Sequence, residues 1–326
     1  MTGARVRVGM HRLDAEDEPA FQALLRAVYG GSYSYAYLYE PGGMARLLEG
    51  GRATLWGDFD SRGELVGHTG VFYKGADADF AESGMSFRRP KSLPTTSDAQ
   101  AFQRILDEVS SRVTYLHQNT STWHPLAQRF AERHMHAKPA GLILEYVEPH
   151  ERIVGLPAPS SPMNAVTMTT CFGPEPESAP VRIPSGPFAA WLVERFAAFG
   201  IRADIVDPGP ELPYSLCMFD QAPCLGLTRH RVVEGEGGSL SPLVESRTTL
   251  VHVPTDARVH VLPLLQMQGF LPIGIRPRRG APHEIVAQKV SLAGRGRALQ
   301  SLEKASLTPS SRVVAETWSS ACARLT

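Results

Sequence analysis

The amino-acid sequence predicts an α/β protein with mixed, mostly antiparallel sheets that are flanked by helices, in two domains. Amphipathic helical segments alternate with short apolar runs along the whole chain. The turn signal Asp60-Ser61-Arg62-Gly63 joins two such runs into an antiparallel hairpin. A helical segment at 98–110 then links two further strands by a parallel crossover. The 326 residues suffice for two domains of ordinary size, each with its own core.

A proline-rich segment separates the two predicted domains. The stretch from Glu148 to Pro162 contains four prolines and several small polar residues, so few long-range contacts should cross it. We therefore expect four parts. They are an N-terminal domain at 1–150, a linker at 151–162, a C-terminal companion domain at 163–292 and a helical tail at 293–326.

Composition excludes several classes of protein. Lys plus Arg and Asp plus Glu both number 33, so the overall charge does not favour a nucleic-acid or membrane surface as partner. The four cysteines are scattered without paired spacing, which argues against disulfides and against a zinc site, and no other metal-ligand cluster is evident. Without a signal-like or membrane-length apolar stretch, we expect a soluble cytoplasmic protein.

The first half is predicted to run strand, two helices, three strands, helix, strand, helix, strand. A tyrosine-rich stretch at 29–43 is expected to be an ordered loop rather than a strand, because Gly and Pro flank it. The last helix should turn Leu126, Ala127, Phe130 and Ala131 inward. The predicted strands lie at 5–12, 52–60, 64–73, 78–87, 113–116 and 141–147, and the helices at 18–29, 44–49, 98–110 and 124–136.

The second half is predicted to be rich in strands, with helices at 187–199 and 258–268 and a final helix that Ser310 or Ser311 caps. The basic run at 276–280 leaves two interpretations open. It is either a solvated turn or a contact for a phosphate, an acidic carrier protein or an RNA backbone.

The stretch from Ala81 to Leu106 combines a strand, a loop and a helix start. Unpaired backbone N–H groups at such a helix start, together with the helix dipole, make an anion site. The loop contains no glycine, although phosphate cradles usually use glycine for close backbone approach.

Four short motifs support a family resemblance when taken with the order of elements. They are Tyr33-Ser34-Tyr35 with Tyr39 to Pro41, Leu65-Val66-Gly67-His68, Ala81-Glu82-Ser83-Gly84-Met85, and His124-Pro125-Leu126-Ala127-Gln128. Over 6–147 the chain resembles the GNAT acyltransferase superfamily. A second, weaker resemblance covers the end of a GNAT-like unit at Gly269-Phe270, Gly274, Pro277 and Gln288, which implies a tandem arrangement.

The resemblance implies acyl transfer from acetyl-CoA or another acyl-CoA to an amine. The backbone of Met85, Ser86 and Phe87 would hold the pantetheine arm, with Asn119 in the loop after the fifth strand as a further partner. Because Pro94 and Thr96 stand where the family has glycines, the pyrophosphate loop is degenerate. Side chains would replace the lost donors, or this half no longer binds CoA. The side chains concerned are Arg88, Arg89, Lys91, Ser92, Thr95, Thr96 and Ser97.

The resemblance also implies roles at the reacting centre. Glu82 is the candidate general base, with His117 and His124 as further candidates. Tyr33, Tyr35, Tyr39 and His68 are candidates to contact the acceptor. For each residue a structural role is the alternative, as core, turn or salt-bridge partner.

The sequence therefore predicts an acyltransferase that acts on an amine of a small biosynthetic intermediate. One alternative is a GNAT-like metabolite-binding protein without catalysis. Another is a transferase whose donor is a carrier-protein thioester or an aminoacyl-tRNA, which needs no adenosine pyrophosphate site.

Overall fold

The structure of the protein, a computed structural model, forms two compact units. Unit 1 contains Met1–Gln118 and Glu148–Ser161, and unit 2 contains Asn119–Val147 and Pro162–Thr326. The mixed α/β class is confirmed. The predicted domain boundaries differ from the boundaries of these two units, which are defined by contacts within the chain, and they stay a prediction. The residues described are 7–73, 79–90, 92, 98–122, 125–147, 151–155, 157, 162–173, 179–207, 214–222, 227–234, 248–279 and 281–325.

Unit 1 follows the predicted order of strands and helices. A 3-10 helix at Ala36–Tyr39 lies within the tyrosine-rich stretch, which is a loop rather than a strand, as predicted. The fifth strand is longer than predicted, and only its first four residues belong to unit 1. The elements are β1 (Gly9–Arg12), α1 (Glu18–Tyr29), α2 (Gly43–Leu48), β2 (Ala53–Phe59), β3 (Leu65–Tyr73), β4 (Phe80–Arg88), α3 (Asp98–Ser110) and β5 (Tyr115–Ser121).

The strands of unit 1 form one sheet in the order β1-β2-β3-β4-β5. Neighbours run antiparallel, as the hairpin signal predicts, except that β4 and β5 are parallel. The predicted parallel crossover through α3 is therefore confirmed, because parallel neighbours need a long connection.

Helix α1 shows how the sequence fixes this packing. The apolar residues Phe21, Leu24, Leu25 and Val28 recur at helical spacing, and all four are buried. The helix begins with a proline in its first turn, and it ends at Gly30 with φ of 68°, a conformation that glycine adopts without strain. The tyrosine-rich loop follows directly.

Unit 2 contains the remaining elements. Helix α8 is capped by Thr308, whose hydroxyl accepts a hydrogen bond from the Ser311 N–H, so the prediction of Ser310 or Ser311 as cap was wrong. The elements are α4 (Leu126–His134), β6 (Lys138–Val147), β7 (Met163–Cys171), β8 (Val181–Pro184), α5 (Ala189–Ala198), β9 (Ala203–Val206), β10 (Tyr214–Ala222), β11 (Leu227–Glu234), β12 (Thr248–Pro254), α6 (Leu262–Met267), β13 (Phe270–Arg276), β14 (Glu284–Lys289), α7 (Leu292–Glu303) and α8 (Pro309–Ala323).

The main sheet of unit 2 has the order β7-β6-β13-β14-β12-β11-β10 among the described strands, and β8 pairs with β9 separately. Of the described neighbours in the main sheet, only β11 and β12 are parallel. The mostly antiparallel character that the sequence predicts is confirmed.

Helix α4 turns a different face inward from the one predicted. Ala131 is fully buried as predicted, but Leu126 and Phe130 are 65% and 38% exposed, and Gln128 is fully buried instead. The Gln128 amide donates to the carbonyls of Ser121 and Ser306, so hydrogen bonding by a polar side chain outweighs the apolar periodicity.

Strands β6 and β13 meet where Gly141 lies opposite Gly274. A Cβ atom at position 141 would lie 2.3 Å from the Gly274 Cα and 2.3 Å from the Ile273 carbonyl oxygen. Both strands have an irregular register just before their glycine. The close backbone approach therefore needs a residue without a side chain.

Two arginines of the basic run at 276–280 bind a buried carboxylate, whereas Arg279 is exposed. Arg276 and Arg278 are largely buried and donate to the Glu284 carboxylate, which also accepts from Arg231 Nε at 2.6 Å and from His252 Nδ1 at 2.9 Å. Burial alone would raise the pKa of Glu284, but the His252 hydrogen bond and the charges of Arg276 and Arg231 hold that pKa well below its usual range. A charged carboxylate thus lies in the interior of unit 2.

Replacing Gly141 by alanine should destabilise the protein by about 1–3 kcal/mol or more, because the new methyl group meets backbone atoms that cannot move aside cheaply. Gly296→Ala is a matched control. Gly296 is an exposed residue of α7 with open space where the alanine methyl group would lie, so alanine should add roughly 0.5–1 kcal/mol of stability there. Denaturant unfolding measures both changes, and equal stability of Gly141→Ala and the parent chain would contradict the close approach.

Glu284→Gln should destabilise the fold by about 3–5 kcal/mol at neutral pH, because three arginines lose their shared carboxylate. A folded-state pKa below the unfolded value stabilises the parent chain above about pH 4.3, and that stability is lost as pH falls further. The variant should therefore lose less stability between about pH 5 and pH 3. Glu303→Gln, an exposed change in α7, should lose as much stability at acid pH as the parent chain does. If Glu284→Gln lost the same stability over this pH range as the parent chain, the low pKa of Glu284 would be refuted.

Candidate functional site

Strand β4 contains one residue more than the segment of β3 that it pairs with. Gly84 lies opposite Gly70 and Phe87 lies opposite His68, so three steps along β4 match two steps along β3. Met85 within this bulge has a φ of 53°, which is uncommon for a residue with a side chain. Position 85 is not a glycine, and the only local sign of the bulge in the sequence is Gly84 beside it.

The bulge changes which side chains share a face of the sheet. Glu82 lies opposite Phe72, and Phe87 lies opposite His68. Directly opposed residues share a face, and so do residues four apart on β3. Glu82 and Phe87 therefore face the same side, although a regular strand would place residues five apart on opposite sides.

His68 holds the bulge from that face. Its Nδ1 lies 2.7 Å from the Met85 carbonyl oxygen, and its ring packs between Phe21 and Phe87 at centroid distances of 4.9 and 5.0 Å. Burial lowers the pKa of His68 to about 4, so the ring is neutral and its Nδ1–H donates to the carbonyl. His68 lies within β3 and is buried, which favours a structural role over the predicted contact with the acceptor.

The far half of β4 has an open edge. β4 pairs with β5 from Phe80 to Ser83, opposite Tyr115 to Gln118, and this pairing stops at Ser83 among the described residues. Within the described part of the chain, the segment Gly84–Arg88 pairs with β3 on one side only. A strand edge of this kind can bind an extended, amide-containing ligand through its backbone.

Two of the predicted catalytic residues lie side by side. Glu82 on β4 and His117 on β5 are register partners in the parallel pair, and His117 stacks on Phe80 at a centroid distance of 4.4 Å. Both side chains share the face that carries Phe72, His68 and Phe87. The structure thus brings Glu82 and His117 together, and their catalytic roles stay predictions.

A cluster of five tyrosines, here called the tyrosine cluster, packs near the bulge. Tyr29 and Tyr33 lie 5.7 and 6.1 Å from Phe87, and the Tyr33 N–H donates to the Tyr39 hydroxyl at 3.3 Å. Neighbouring rings in the chain of contacts are 4.7, 5.6 and 6.2 Å apart. Met85 packs against the same core. The cluster consists of Tyr29, Tyr33, Tyr35, Tyr37 and Tyr39.

Glu151 is a site residue that sequence reasoning missed, because it lies in the segment predicted as a linker. Its carboxylate Oε2 accepts from the Ser34 hydroxyl at 3.5 Å, next to the tyrosine cluster. Burial raises the pKa of Glu151 to about 7, and hydrogen bonds from Ser34 offset part of that rise. The pattern Glu-Arg-Ile-Val at 151–154 was the available signal, since a linker has little need of two consecutive apolar residues.

The structure places other predicted residues elsewhere. Ser86 turns to the opposite face of the sheet, where its hydroxyl lies 2.7 Å from that of Thr69. Asn119 lies within β5 in unit 2, not in a loop, and its Oδ1 accepts from the Thr167 hydroxyl at 3.0 Å. Lys91, Thr95, Thr96, Ser97 and His124 lie outside the described residues.

The two arginines that precede the degenerate loop have carboxylate partners. Arg88 donates to the fully buried Asp58 at 2.7 Å, passing over Gly67, whose missing side chain leaves room for it. Arg89 donates to Glu64 at 2.7 Å. Both cations therefore stabilise the sheet of unit 1.

Two further classes of site are absent from the described residues. None of their His, Cys, Asp and Glu side chains are grouped in threes in a way that could hold a metal ion. None of their helices combines the length and apolar character of a membrane span.

Replacing His68 by phenylalanine should keep the ring packing and remove the donor to Met85, at a cost of about 1–2 kcal/mol at neutral pH. In the parent chain the unfolded state binds a proton that the folded state excludes, so stability falls as pH drops from about 6.5 to about 4. The variant should lose roughly 2–3 kcal/mol less over that window. The control His134→Phe removes an exposed imidazole. Identical pH dependence of parent and His68→Phe would disprove the buried neutral ring.

Comparison with known proteins finds similarity in structure and none in sequence. No protein-family profile and no curated protein sequence matches the chain. Solved structures do match about half of it. The ribosomal-protein-S18-alanine N-acetyltransferase from Escherichia coli is 15% identical and covers 52% of this chain and 97% of its own, with a TM-score of 0.39.

A second similar structure is the spermidine/spermine N-acetyltransferase from Vibrio cholerae. It is 12% identical and covers 50% of this chain and 91% of its own, with a TM-score of 0.38. A chimera of the V. cholerae spermidine enzyme gives nearly the same values, with 12% identity, coverage of 50% and 96%, and a TM-score of 0.39. In element order and strand pairing, unit 1 agrees with the arrangement that the sequence predicts for this part of the chain.

Proposed function

We propose that the protein is a GNAT-type N-acyltransferase that moves an acyl group from a thioester to the amine of a small molecule. The observation that carries the proposal is the open edge of β4 at Gly84–Arg88, directly after the paired residues Glu82 and His117. Donor arm, base and acceptor would then meet along one strand. The biosynthetic setting, the cytoplasmic location and the companion role of the second half stay predictions.

The donor would lie along the β4 edge. The backbone groups of Met85, Ser86 and Phe87 would bind the amides of a pantetheine arm as an added strand binds a sheet. The thioester would supply the acyl group, and the thiol would leave. The Met85 carbonyl bonds to His68, so the donor would use other backbone groups of this segment, those that do not pair with β3.

The internal ion pairs of Arg88 and Arg89 favour a donor with little phosphate recognition in this region. A CoA pyrophosphate would compete with Asp58 and Glu64 for these cations or would rely on other groups. This supports the alternative of a carrier-protein thioester, which presents the same pantetheine arm without the adenosine diphosphate.

The acceptor amine would lie on the face that carries Glu82 and the tyrosine cluster. An attacking amine must lose a proton as the amide bond forms, and a carboxylate beside an imidazole suits that task. Glu82 is the proposed base, and His117 would orient it or accept the proton in turn. The aromatic rings of Tyr33, Tyr35 and Tyr39 would enclose the acceptor's carbon skeleton.

Titration calorimetry with acetyl-CoA, acetyl-pantetheine and free CoA tests the donor. We expect acetyl-pantetheine to bind, with acetyl-CoA binding no more than about tenfold tighter, since the arm rather than the phosphates provides the affinity. Binding by none of the three at sub-millimolar concentration would exclude the acyltransferase proposal in its CoA and carrier-protein forms.

Glu82→Gln tests the base. Turnover under saturating substrates should fall by about 10²–10⁴-fold, with little change in donor affinity, because general-base catalysis acts on the transition state. Glu49→Gln, an exposed change in unit 1, serves as the matched control and should keep full turnover. Full turnover by Glu82→Gln would remove Glu82 from the catalytic residues.

A further inference from the structure

We propose that Glu151 and the tyrosine cluster form a binding site for an alkylammonium group, which would hold the acceptor in its cationic form. This inference rests on the proposed function for the identity of the acceptor, but the site itself is argued from contacts within unit 1. It assigns a ligand class to a carboxylate that the proposed chemistry does not use.

The position of Glu151 is fixed by its neighbours in sequence. The Arg152 N–H donates to the Ser32 hydroxyl at 2.8 Å, and the Val154 N–H donates to the Val28 carbonyl at 2.7 Å. Ile153 packs on the core that α1 and the tyrosines share. The three residues that follow Glu151 are thus held against α1 and the loop after it. This fixes the backbone from which the Glu151 side chain extends toward Ser34.

The carboxylate itself lacks a cationic partner among the described residues. No arginine, lysine or histidine of that part of the chain forms an ion pair with Glu151. Its carboxylate accepts hydrogen bonds from the Ser34 backbone N–H and from the Ser34 hydroxyl, the latter long at 3.5 Å. A half-buried carboxylate without a counter-charge costs free energy, which a bound cation would recover. Such a site differs from Asp58 and Glu284, whose buried carboxylates have arginine partners.

The groups that face Glu151 fit a cation. Among the groups near Glu151 are Tyr29 and Tyr39. Burial together with the Glu151 charge raises the pKa of both tyrosines, so both hydroxyls stay neutral. The charged groups of this region include Arg152, which follows Glu151 in sequence, and Arg26, which lies 5.2 Å over the Tyr39 ring and donates to the Tyr39 carbonyl. Tyrosine faces attract ammonium groups, and the carboxylate accepts their N–H donors.

Protonation links the site to neutral pH. With a pKa of about 7, Glu151 is about half ionised near pH 7, and a bound cation would favour the ionised form. Binding of an ammonium group should therefore release roughly half a proton near pH 7. If the site recognised only the carbon skeleton of the ligand, binding would release no proton.

The test uses n-butylammonium chloride and the full chain without any donor, with sodium chloride matching the ionic strength. We expect the affinity to fall about tenfold or more from about pH 8.5 to about pH 5.5, a range in which alkylamines stay protonated. Calorimetry in two buffers of different ionisation enthalpy measures the proton release. n-Butanol should bind far more weakly and without pH dependence, and tetramethylammonium, which has no N–H donor, should bind more weakly than n-butylammonium.

Substitutions at Glu151 test the same site independently. Glu151→Gln should weaken n-butylammonium binding about tenfold or more, Glu151→Asp should retain part of the affinity, and Glu49→Gln should retain all of it. Absence of n-butylammonium binding, or equal binding by the parent and Glu151→Gln with no proton release, would overturn the inference. The pH and proton-release measurements need no variant, so they decide even if Glu151→Gln does not fold.

The outcomes separate this inference from the proposed function. Ammonium binding without any thioester binding would leave the Glu151 site standing and remove the acyltransferase proposal. Thioester binding without ammonium binding would leave the acyltransferase proposal standing and remove the Glu151 site.

Discussion

The hydrogen bond from His68 to the Met85 carbonyl is the interaction on which the site of unit 1 depends. One extra residue in β4 shifts the register against β3. Met85 in this bulge has the strained positive φ, and the neutral imidazole of His68 bonds to its carbonyl. The same shift brings Glu82 and Phe87 to one face, and among the described residues the pairing with β5 ends at Ser83, just before the bulge. A local irregularity thus creates a common face for acidic and aromatic side chains, next to a stretch of β4 that pairs only with β3 in the described part of the chain.

The buried ionisable side chains differ in their roles between the two units. In unit 2, Glu284 is charged and held by three arginines and His252, so its role is internal and its loss would destabilise the sheet. In unit 1, His68 is neutral and Glu151 lacks a cation among the described residues, although Asp58 in the same unit has Arg88. The contrast supports the proposal that Glu151 is kept for a ligand rather than for stability.

Periodicity predicted most of the fold, because apolar spacing decides burial when hydrogen bonds do not. Helix α1 and helix α3 have the predicted bounds, and the hairpin of β2 and β3 follows its turn signal. Prediction failed where a polar side chain was the anchor, as with Gln128 in α4 and Thr308 before α8. The site was predicted in part. Glu82 and His117 are neighbours, but sequence reasoning missed the bulge at Met85 and the return of Glu151 to α1. Gly84 and the apolar pair Ile153-Val154 are weak local signals, and the tertiary contacts that fix both features lie far apart in sequence.

The central claim is that Gly84–Arg88 binds the donor through its backbone, and amide hydrogen exchange measures this most directly. Exchange should be followed in the chain alone and with saturating acetyl-pantetheine, with residues 53–59 of β2 as the internal reference. Donor binding should slow amide exchange at Gly84–Arg88 by about tenfold or more and leave exchange in β2 unchanged. Unchanged exchange at Gly84–Arg88, with the ligand bound and protection found elsewhere, would contradict it.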